Sequence, residues 1–347
     1  MLAPDALALP ADPVAIGAQM RRPRVGFLGV GWIGRHRMAA LAESGLIEVA
    51  AVADPERETL REAQIVAPAA AGFDSFEELL DQALDAVVIA TPSALHALQA
   101  EKALRRGLAV FCQKPLARTA AECARVVHAA RSADRLLGVD LSYRHTHAMR
   151  CIRDRVAARD IGEVYAIDLV FHNAYGPDKA WFRDPKLSGG GCVIDLGIHL
   201  VDLALWVLDF PRVASVSSRL FAHGEPLRPR AEAVEDHGVA QLDLASGGVV
   251  RLACSWNLPA GRDAVIEATF HGTRGGLSMK NVGGSFYDFV ADRYDGTKTT
   301  RHVEPPDAWG GRAAVHWAGK LAASARFDAD VGRVVEVAQI LDAIYGR

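Results

Sequence analysis

The feature that most constrains this chain is a regular alternation of short apolar runs with amphipathic segments between Arg24 and Tyr143. The predicted strands are 24–30, 47–54, 85–92, 108–115 and 136–143, and the predicted helices are 32–44, 75–82, 94–106 and 119–133. Strands that are separated by helices pair in parallel, in a sheet that helices cover on both faces. Residues 22–143 therefore predict a doubly wound α/β domain.

After Tyr143 the pattern changes to runs of alternating polarity that turns connect directly. The predicted elements are a charged helix at 145–159, a buried helix at 192–208, a final helix at 328–345, and strands at 164–175, 213–222, 238–245, 248–257, 263–271 and 286–294. Consecutive strands without intervening helices favour an antiparallel sheet. We predict a second α/β domain over 144–347 with an open, mostly antiparallel sheet, whose last helix packs back on the first domain. Residues 1–21 read as a flexible arm.

Composition excludes several classes of function. The chain has 347 residues with 39 Lys and Arg against 42 Asp and Glu, a net charge of −3. This balance gives neither the basic surface of a nucleic-acid-binding protein nor a polybasic membrane patch. Acidic and histidine residues interrupt the longest apolar stretch, 192–208, so we expect a buried helix rather than a membrane span. The five cysteines are widely spaced without a CxxC pair, which argues against structural zinc and disulfides and favours the cytoplasm.

A GxGxxG motif, Gly29-Val30-Gly31-Trp32-Ile33-Gly34, lies between the first predicted strand and helix. Such glycines let backbone N–H groups approach a pyrophosphate at the helix N-terminus, although glycines also cluster in ordinary turns. Asp54 ends the next strand 20 residues after Gly34, the spacing of the carboxylate that binds the ribose hydroxyls of a dinucleotide. Its charge would repel a 2′-phosphate, so NAD is favoured over NADP, a preference that the nearby Arg57 softens.

Lys114 and the pair Thr91-Pro92 each follow a predicted parallel strand directly. The carboxyl ends of such strands line the ligand crevice of an open α/β sheet. Lys114 is therefore placed to reach a substrate oxygen, although position alone is equally compatible with a solvated surface lysine.

Asp195 and His199 follow a Gly189-Gly190-Gly191 run and are four residues apart in the apolar helix. On an α-helix that spacing puts both side chains on one face. A buried Asp–His pair suits proton transfer, but such pairs are more often structural. A metal would need a third ligand, and no recognised spacing joins Asp202, His172, His223 or His237 to the pair, so we predict no metal.

Taken together, these motifs resemble the glucose–fructose oxidoreductase, inositol dehydrogenase and rhizopine-catabolism (Gfo/Idh/MocA) family from about Arg24 to Tyr345. The matching segments are GVGWIG (29–34), AD (53–54), ATPSALH (90–96), CQKP (112–115), IGEV (161–164), the WF…GGG…D…H block (181–199) and RVVEVAQILDAIY (333–345). The resemblance implies a Rossmann domain followed by an α/β domain whose open sheet commonly joins subunits into homodimers or homotetramers.

The resemblance also implies roles for single residues. Lys114 matches the lysine of the family's EKP motif, which hydrogen-bonds the reacting hydroxyl, and Asp195 and His199 match its DxxxH pair, with the histidine as acid–base. The residues expected at the cofactor are Gly29, Gly31, Trp32, Ile33, Gly34, Asp54, Thr91, Pro92, His96 and Lys114, and those expected at the substrate are Arg144, Tyr175, Trp181, Asp195 and His199. One departure is Gln113, which replaces the glutamate of EKP and removes a charge beside Lys114.

The function that the resemblance implies is NAD-dependent hydride transfer to or from a ring hydroxyl or ketone of a sugar, sugar derivative or cyclitol. Two alternatives stay open: an NAD-dependent glycosidase without net redox chemistry, and a dinucleotide-binding sensor without turnover. The expected ligand is a small sugar or polyol, with no nucleic-acid or membrane partner.

Overall fold

A six-stranded parallel sheet forms the first half of the molecule, in a computed structural model that describes residues 21–227 and 233–347. Its strands are β1 (Arg24–Leu28), β2 (Glu48–Ala53), β3 (Ala71–Phe73), β4 (Ala86–Ile89), β5 (Ala109–Cys112) and β6 (Leu137–Val139). They lie in the order β3-β2-β1-β4-β5-β6, and every pair is parallel. The order reverses between β1 and β4, where a doubly wound sheet opens its ligand crevice.

Helices cover both faces of this sheet, as the alternating sequence pattern predicts. They are α1 (Trp32–Glu43), α2 (Arg57–Val66), α3 (Phe76–Leu80), α4 (Ser93–Arg105) and α5 (Ala120–Ala133). Ser75 and Thr119 cap α3 and α5, and their side chains accept the N–H groups of Glu78 and Glu122. These caps satisfy backbone donors that the first turn of a helix leaves free.

A nine-stranded sheet forms the second half, in the order β15-β14-β13-β12-β7-β11-β10-β8-β9. The strands are β7 (Val164–Asn173), β8 (Val213–Ala222), β9 (Glu225–Pro226), β10 (His237–Leu244), β11 (Val249–Ser255), β12 (Ala264–Gly272), β13 (Gly275–Asn281), β14 (Phe289–Asp295) and β15 (Lys298–Val303). Among the strands that the structure describes, only β7 and β11 pair in parallel within this sheet. The α/β class and the mostly antiparallel second sheet are therefore confirmed.

The second half contributes five helices within the described residues. They are α6 (His147–Ala157), α7 (Pro185–Ser188), α8 (Ile198–Val207), α9 (Arg312–Ala323) and α10 (Arg333–Tyr345). Of these, α6, α8 and α10 contact the large sheet, whereas α7 and α9 contact elements of the first half. Helix α8 is buried along nearly its whole length. The stretch Pro185–Val207, which includes α7 and α8, is long and apolar enough to cross a bilayer, but 89% of its most apolar window is buried in the fold. It is the core helix of this domain.

Helices α9 and α10, near the C-terminus, also pack against the hydrophobic core of the first half. Trp317 of α9 packs on Phe111 of β5 with ring centroids 5.5 Å apart, and α10 lies between α5 and α8. The division of the chain at residue 143 stays a prediction, and the predicted arm lies, except for Arg21, outside the described residues.

The sequence pattern missed α2, β3, α7, β9, β13, β15 and α9. Strand β3 has three residues and β9 has two, too few to show alternation. The edge strand β15, KTTRHV, is exposed at almost every position and carries no apolar face. Helix α9 is amphipathic, so its periodic pattern was available but was not recognised.

Candidate functional site

Lys114 and Asp195 meet where the two halves of the molecule face each other. The Lys114 Nζ donates to Oδ1 of Asp195 at 2.6 Å and to its backbone oxygen at 2.8 Å. Lys114 follows β5, at the carboxyl edge of the parallel sheet, and its side chain is about one-fifth exposed. An ammonium group has three donors, so two serve Asp195 and one remains for a ligand oxygen.

Asp195 lies in a π-helical turn, Val193–Gly197, that leads directly into α8. The prediction of a regular α-helix at this point is therefore wrong, because the backbone hydrogen bonds of a π-helix join residues five apart in the chain instead of four. π-helical turns are rare in proteins, and those that occur often lie at functional sites. Asp195 bonds Lys114 and Trp256 rather than His199, which lies in the first turn of α8.

Trp256 is a site residue that the sequence reasoning missed. It follows β11, is 3% exposed, and donates from Nε1 to Oδ2 of Asp195 at 3.0 Å. Both carboxylate oxygens of Asp195 are therefore occupied by donors from different elements. The predicted aromatic residue Trp181 stacks on Phe182 at 3.8 Å, and Phe182 packs edge-on against Trp256. Trp181 is thus connected to the site through two aromatic rings.

His199 is 6% exposed, and its ring lies 4.8 Å from that of Tyr143. Burial lowers the pKa of His199 well below its usual value, and the positive charges of Lys114 and Arg37 lower it further. The imidazole is therefore neutral at neutral pH and able to accept a proton. Burial likewise raises the pKa of Tyr143, which stays a neutral phenol.

A buried seat formed by Glu235 and Tyr345 holds the start of the helix that carries Asp195. Glu235 Oε1 accepts the N–H groups of Gly191 and Val193, both at 2.9 Å, and the Tyr345 hydroxyl at 2.7 Å. The same hydroxyl accepts the N–H of Ile194. Burial raises the pKa of Glu235, which is 1% exposed. Neither residue was predicted at the site: Tyr345 ends the family segment 333–345, but nothing in the sequence joins it to Glu235, which lies 110 residues away.

This seat explains two glycines before the helix. A Cβ on Gly191 would lie 1.8 Å from the Glu235 backbone oxygen, and one on Gly190 would lie 2.1 Å from the Tyr345 hydroxyl. Both distances are far below van der Waals contact, so only glycine allows the seat to close.

The glycine loop between β1 and α1 has the form of a dinucleotide-binding turn. Gly29 has a positive φ of 77°, and a Cβ there would lie 2.7 Å from the Ala90 carbonyl. Gly31 precedes α1, which has no capping side chain, and a Cβ on Gly31 would meet nothing within 4 Å. The start of α1 is thus open beside Gly31, and uncapped helix N-termini of this kind bind phosphate groups. Trp32, at this helix start, is 65% exposed.

Asp54 lies directly beside the glycine loop. Its carboxylate accepts the N–H groups of Val30 and Glu56, both at 3.0 Å. Each oxygen of an ionised carboxylate can accept more than one hydrogen bond, so ribose hydroxyls can still bind there. The loop and this carboxylate fit a nicotinamide dinucleotide.

His96 joins two loops of the predicted cofactor site. One ring nitrogen contacts the Thr91 carbonyl and the other the Pro115 carbonyl, both at 2.7 Å. The ring is 1% exposed. His96 thus ties the loop of Thr91-Pro92 to the loop of Lys114, and its role at the cofactor stays a prediction.

Arg144, which is expected at the substrate, pairs with Asp202 in the structure. Its guanidinium pairs with Asp202 on both carboxylate oxygens, with Nε to Oδ2 at 2.8 Å. It also lies over the rings of Trp206 and Phe210, toward the far end of α8. A buried aspartate needs such a partner, and the role of Arg144 at the substrate stays a prediction.

Tyr175 lies on the loop after β7, where it is 56% exposed and its hydroxyl donates to Asp263. The structure does not bring it into contact with Asp195 or Lys114, so its role at substrate stays a prediction.

Within the described ranges, no group of three or more His, Cys, Asp or Glu side chains is arranged to hold a metal ion. His172 bonds the Ser255 hydroxyl and stacks on His237 at 5.9 Å.

Comparison with known protein families shows the family to which this chain belongs. Residues 23–141 match the family model described as "Oxidoreductase family, NAD-binding Rossmann fold", and residues 149–278 match the "GFO/IDH/MocA C-terminal domain". The chain belongs to the Gfo/Idh/MocA family. The resemblance drawn from its motifs is therefore confirmed, and its first half is an NAD-binding Rossmann domain.

Among relatives in this family, D-glucoside 3-dehydrogenase of Escherichia coli K12 is 29% identical over 206 residues, 56% of this chain and 58% of that protein. The 1,5-anhydro-D-fructose reductase of Ensifer adhaerens is 32% identical over 234 residues, 66% of this chain and 65% of that protein. The matched region thus spans about three-fifths of each relative's length.

Solved structures share the fold over nearly the whole chain. Levoglucosan dehydrogenase in complex with NADH and levoglucosan has a TM-score of 0.79 at 21% identity, covering 94% of this chain and 97% of that one. GenD2 from gentamicin A biosynthesis, in complex with NAD, has a TM-score of 0.78 at 22% identity, covering 98% and 96%. At this identity the likeness shows the fold alone.

Proposed function

We propose that this protein is an NAD-dependent oxidoreductase that acts on a ring hydroxyl or ketone of a sugar, sugar derivative or cyclitol. One observation carries the proposal: Lys114 of the Rossmann half bonds Asp195 at 2.6 Å and keeps one donor free, near a buried histidine whose pKa is lowered. The sugar dehydrogenases and reductases among the relatives support the substrate class.

The chain's own residues divide the work of proton handling. In the oxidation direction, the neutral His199 accepts the proton of the carbinol hydroxyl, and the free N–H of Lys114 donates to the same oxygen. Asp195 fixes the Lys114 ammonium, and Trp256 fixes Asp195. In reduction the proton returns from His199 to the oxygen.

Gly29, Gly31 and the first turn of α1 would hold the pyrophosphate, and Asp54 the adenosine ribose. A bound nicotinamide dinucleotide supplies the hydride acceptor in oxidation and the hydride donor in reduction. The carboxylate of Asp54 beside the loop supports NAD over NADP, since a 2′-phosphate would bring like charges together. A ratio of kcat/KM that favours NADP would contradict this preference.

The decisive assay mixes purified protein with NAD and pools of aldoses, phosphorylated sugars, uronic acids and cyclitols, and follows reduced-nicotinamide absorbance. We expect one pool to give NADH formation that depends on His199. Release of a chromogenic aglycone without NADH accumulation would instead establish a glycosidase. Cofactor binding without turnover on either set would favour a sensor, and each of these results overturns the proposal.

We further propose a homodimer or homotetramer, joined through the face of the large sheet that lies opposite α8. Val239 on this face is 37% exposed, and Asp168 pairs there with Arg251 at 2.7 Å. Light scattering during size-exclusion chromatography tests the assembly. The five cysteines are free thiols, which supports a reducing, cytoplasmic location.

A further inference from the structure

A buried polar network lies directly beneath Lys114. Gln113 donates from Nε2 to Oδ2 of Asp140 at 2.6 Å, and the same oxygen accepts Nε of Arg37 at 2.5 Å. These side chains are only 7%, 1% and 6% exposed for Gln113, Asp140 and Arg37. They come from the end of β5, the end of β6 and helix α1, so the network joins three elements of the Rossmann half.

The charges of the network balance only while residue 113 is neutral. Arg37 and Asp140 form one buried ion pair, and Gln113 adds a hydrogen bond without a charge. The second oxygen of Asp140, Oδ1, is buried and has no hydrogen-bond partner within the described part of the chain. A glutamate at 113 would place a second carboxylate against Asp140, and two like charges at that distance cannot both stay ionised.

The network is connected to the reacting groups in two ways. Gln113 is joined to Lys114 by a peptide bond, and its own N–H donates to the Ile89 carbonyl at 2.9 Å, so a shift of its side chain strains the start of the Lys114 loop. The charge of Arg37 also acts on His199.

We propose that Gln113 is a positioning residue matched to Asp140. Its neutral amide holds the Lys114 loop in place, whereas the glutamate found in the family motif would break the Arg37–Asp140 pair and displace Lys114. The inference deepens the proposed function and rests on it, because it assigns how this chain keeps Lys114 aligned after losing the motif's carboxylate.

The test is a charge exchange between positions 113 and 140. We expect Gln113→Glu to lower kcat by roughly 10- to 100-fold, since small misplacements of a reacting group have effects of that size. We expect it to lower Tm as well. The double variant Gln113→Glu/Asp140→Asn restores one carboxylate and one amide, and should recover about tenfold of that loss, as coupled neighbours do.

Two further readouts separate positioning from a merely structural effect. Lys114 and Arg37 both lower the pKa of His199, and Tyr143 packs against its ring. Displacement of the Lys114 ammonium in Gln113→Glu removes one of these positive charges, so it should raise the pKa of His199. The acid limb of kcat should then move to higher pH in Gln113→Glu and return in the double variant. The control Gln339→Glu adds the same charge at an exposed position of α10 and should change neither kcat nor Tm.

Three results would overturn the inference: wild-type kcat and Tm in Gln113→Glu, a double variant no better than the worse single one, or recovery of Tm without recovery of kcat. If Gln113→Glu does not fold, Gln113→Met removes the amide without adding charge, and wild-type kcat in that variant would be equally decisive. If the wild type turns over no sugar, the proposed function fails, while the Tm cycle still shows whether residues 113 and 140 are matched.

Discussion

The two halves of the candidate site are built by different means. In the Rossmann half, Lys114 and the glycine loop each follow a strand of the parallel sheet, so their positions come from neighbours in sequence. In the second half, Asp195 is held by Lys114 and Trp256, and the turn around it by Glu235 and Tyr345. Local sequence places the first half, and contacts between distant segments place the second.

The largest effect is expected where the halves meet. His199→Ala removes the proton acceptor and Lys114→Ala the donor to the reacting oxygen, and each should lower kcat by about 10²–10⁴-fold. NADH binding, followed by energy transfer from tryptophan, should stay near that of the wild type after His199→Ala. The exposed His223 gives a matched control, His223→Ala, which should keep full activity. Full turnover in both variants would contradict the proposed roles of His199 and Lys114 in proton transfer.

A smaller effect is expected in the local half. Asp54→Asn keeps the shape of the side chain but removes its charge, so it should weaken NAD binding by roughly 10- to 100-fold, the range for a hydrogen bond to a charged group. The affinity for NADP should fall less. Isothermal titration with both cofactors checks this, with Asp295→Asn as an exposed control. An unchanged NAD affinity would show that Asp54 serves only the loop.

Tyr345→Phe probes the non-local half. It leaves the Ile194 N–H without its acceptor and Glu235 without a donor, so the free energy of unfolding should fall by about 1–3 kcal/mol. We also expect a lower kcat with little change in NAD affinity, because the seat holds the turn of Asp195 rather than the cofactor loop. Urea unfolding measures the first quantity, and the exposed Tyr165→Phe is the control.

The stability of the folded protein should depend on pH through His145. Burial lowers its pKa to about 4, with additional effects from His316 and nearby arginines. The unfolded chain takes up this proton near pH 6.5, so stability falls as the pH drops from 6.5 toward 4, by up to about 1.4 kcal/mol per pH unit. His145→Phe should reduce that slope in urea titrations at pH 7 and pH 5. An unchanged slope would contradict the contribution of His145.

The smallest effect on substrate binding is expected at Arg144, since its guanidinium is committed to Asp202. Replacing both residues, as Arg144→Met/Asp202→Leu, avoids leaving a buried charge alone. We expect KM for the sugar to stay near the wild-type value in this double variant. A large rise in KM would indicate that Arg144 contacts the substrate.

The sequence by itself determined the fold class, the family and the NAD-binding Rossmann domain, and it named the residues that we propose to react. Regular alternation of strands and helices fixes the parallel sheet, and GVGWIG with Asp54 lies within one strand–helix–strand unit. The family motifs carried Lys114, Asp195 and His199. Short strands such as β3, and the polar edge strand β15, escaped because they bury too little apolar surface to show a pattern.

Only the tertiary structure decided how the side chains pair. Asp195 lies in a π-helical turn, where its carboxylate accepts hydrogen bonds from Lys114 and Trp256 and does not pair with His199. Arg144 pairs with Asp202. The tertiary structure also showed Gln113 to be bonded to Asp140, 27 residues away in the chain. A buried polar group must find its partner in space, and that partner can come from any segment that the fold brings near, so no local pattern records it.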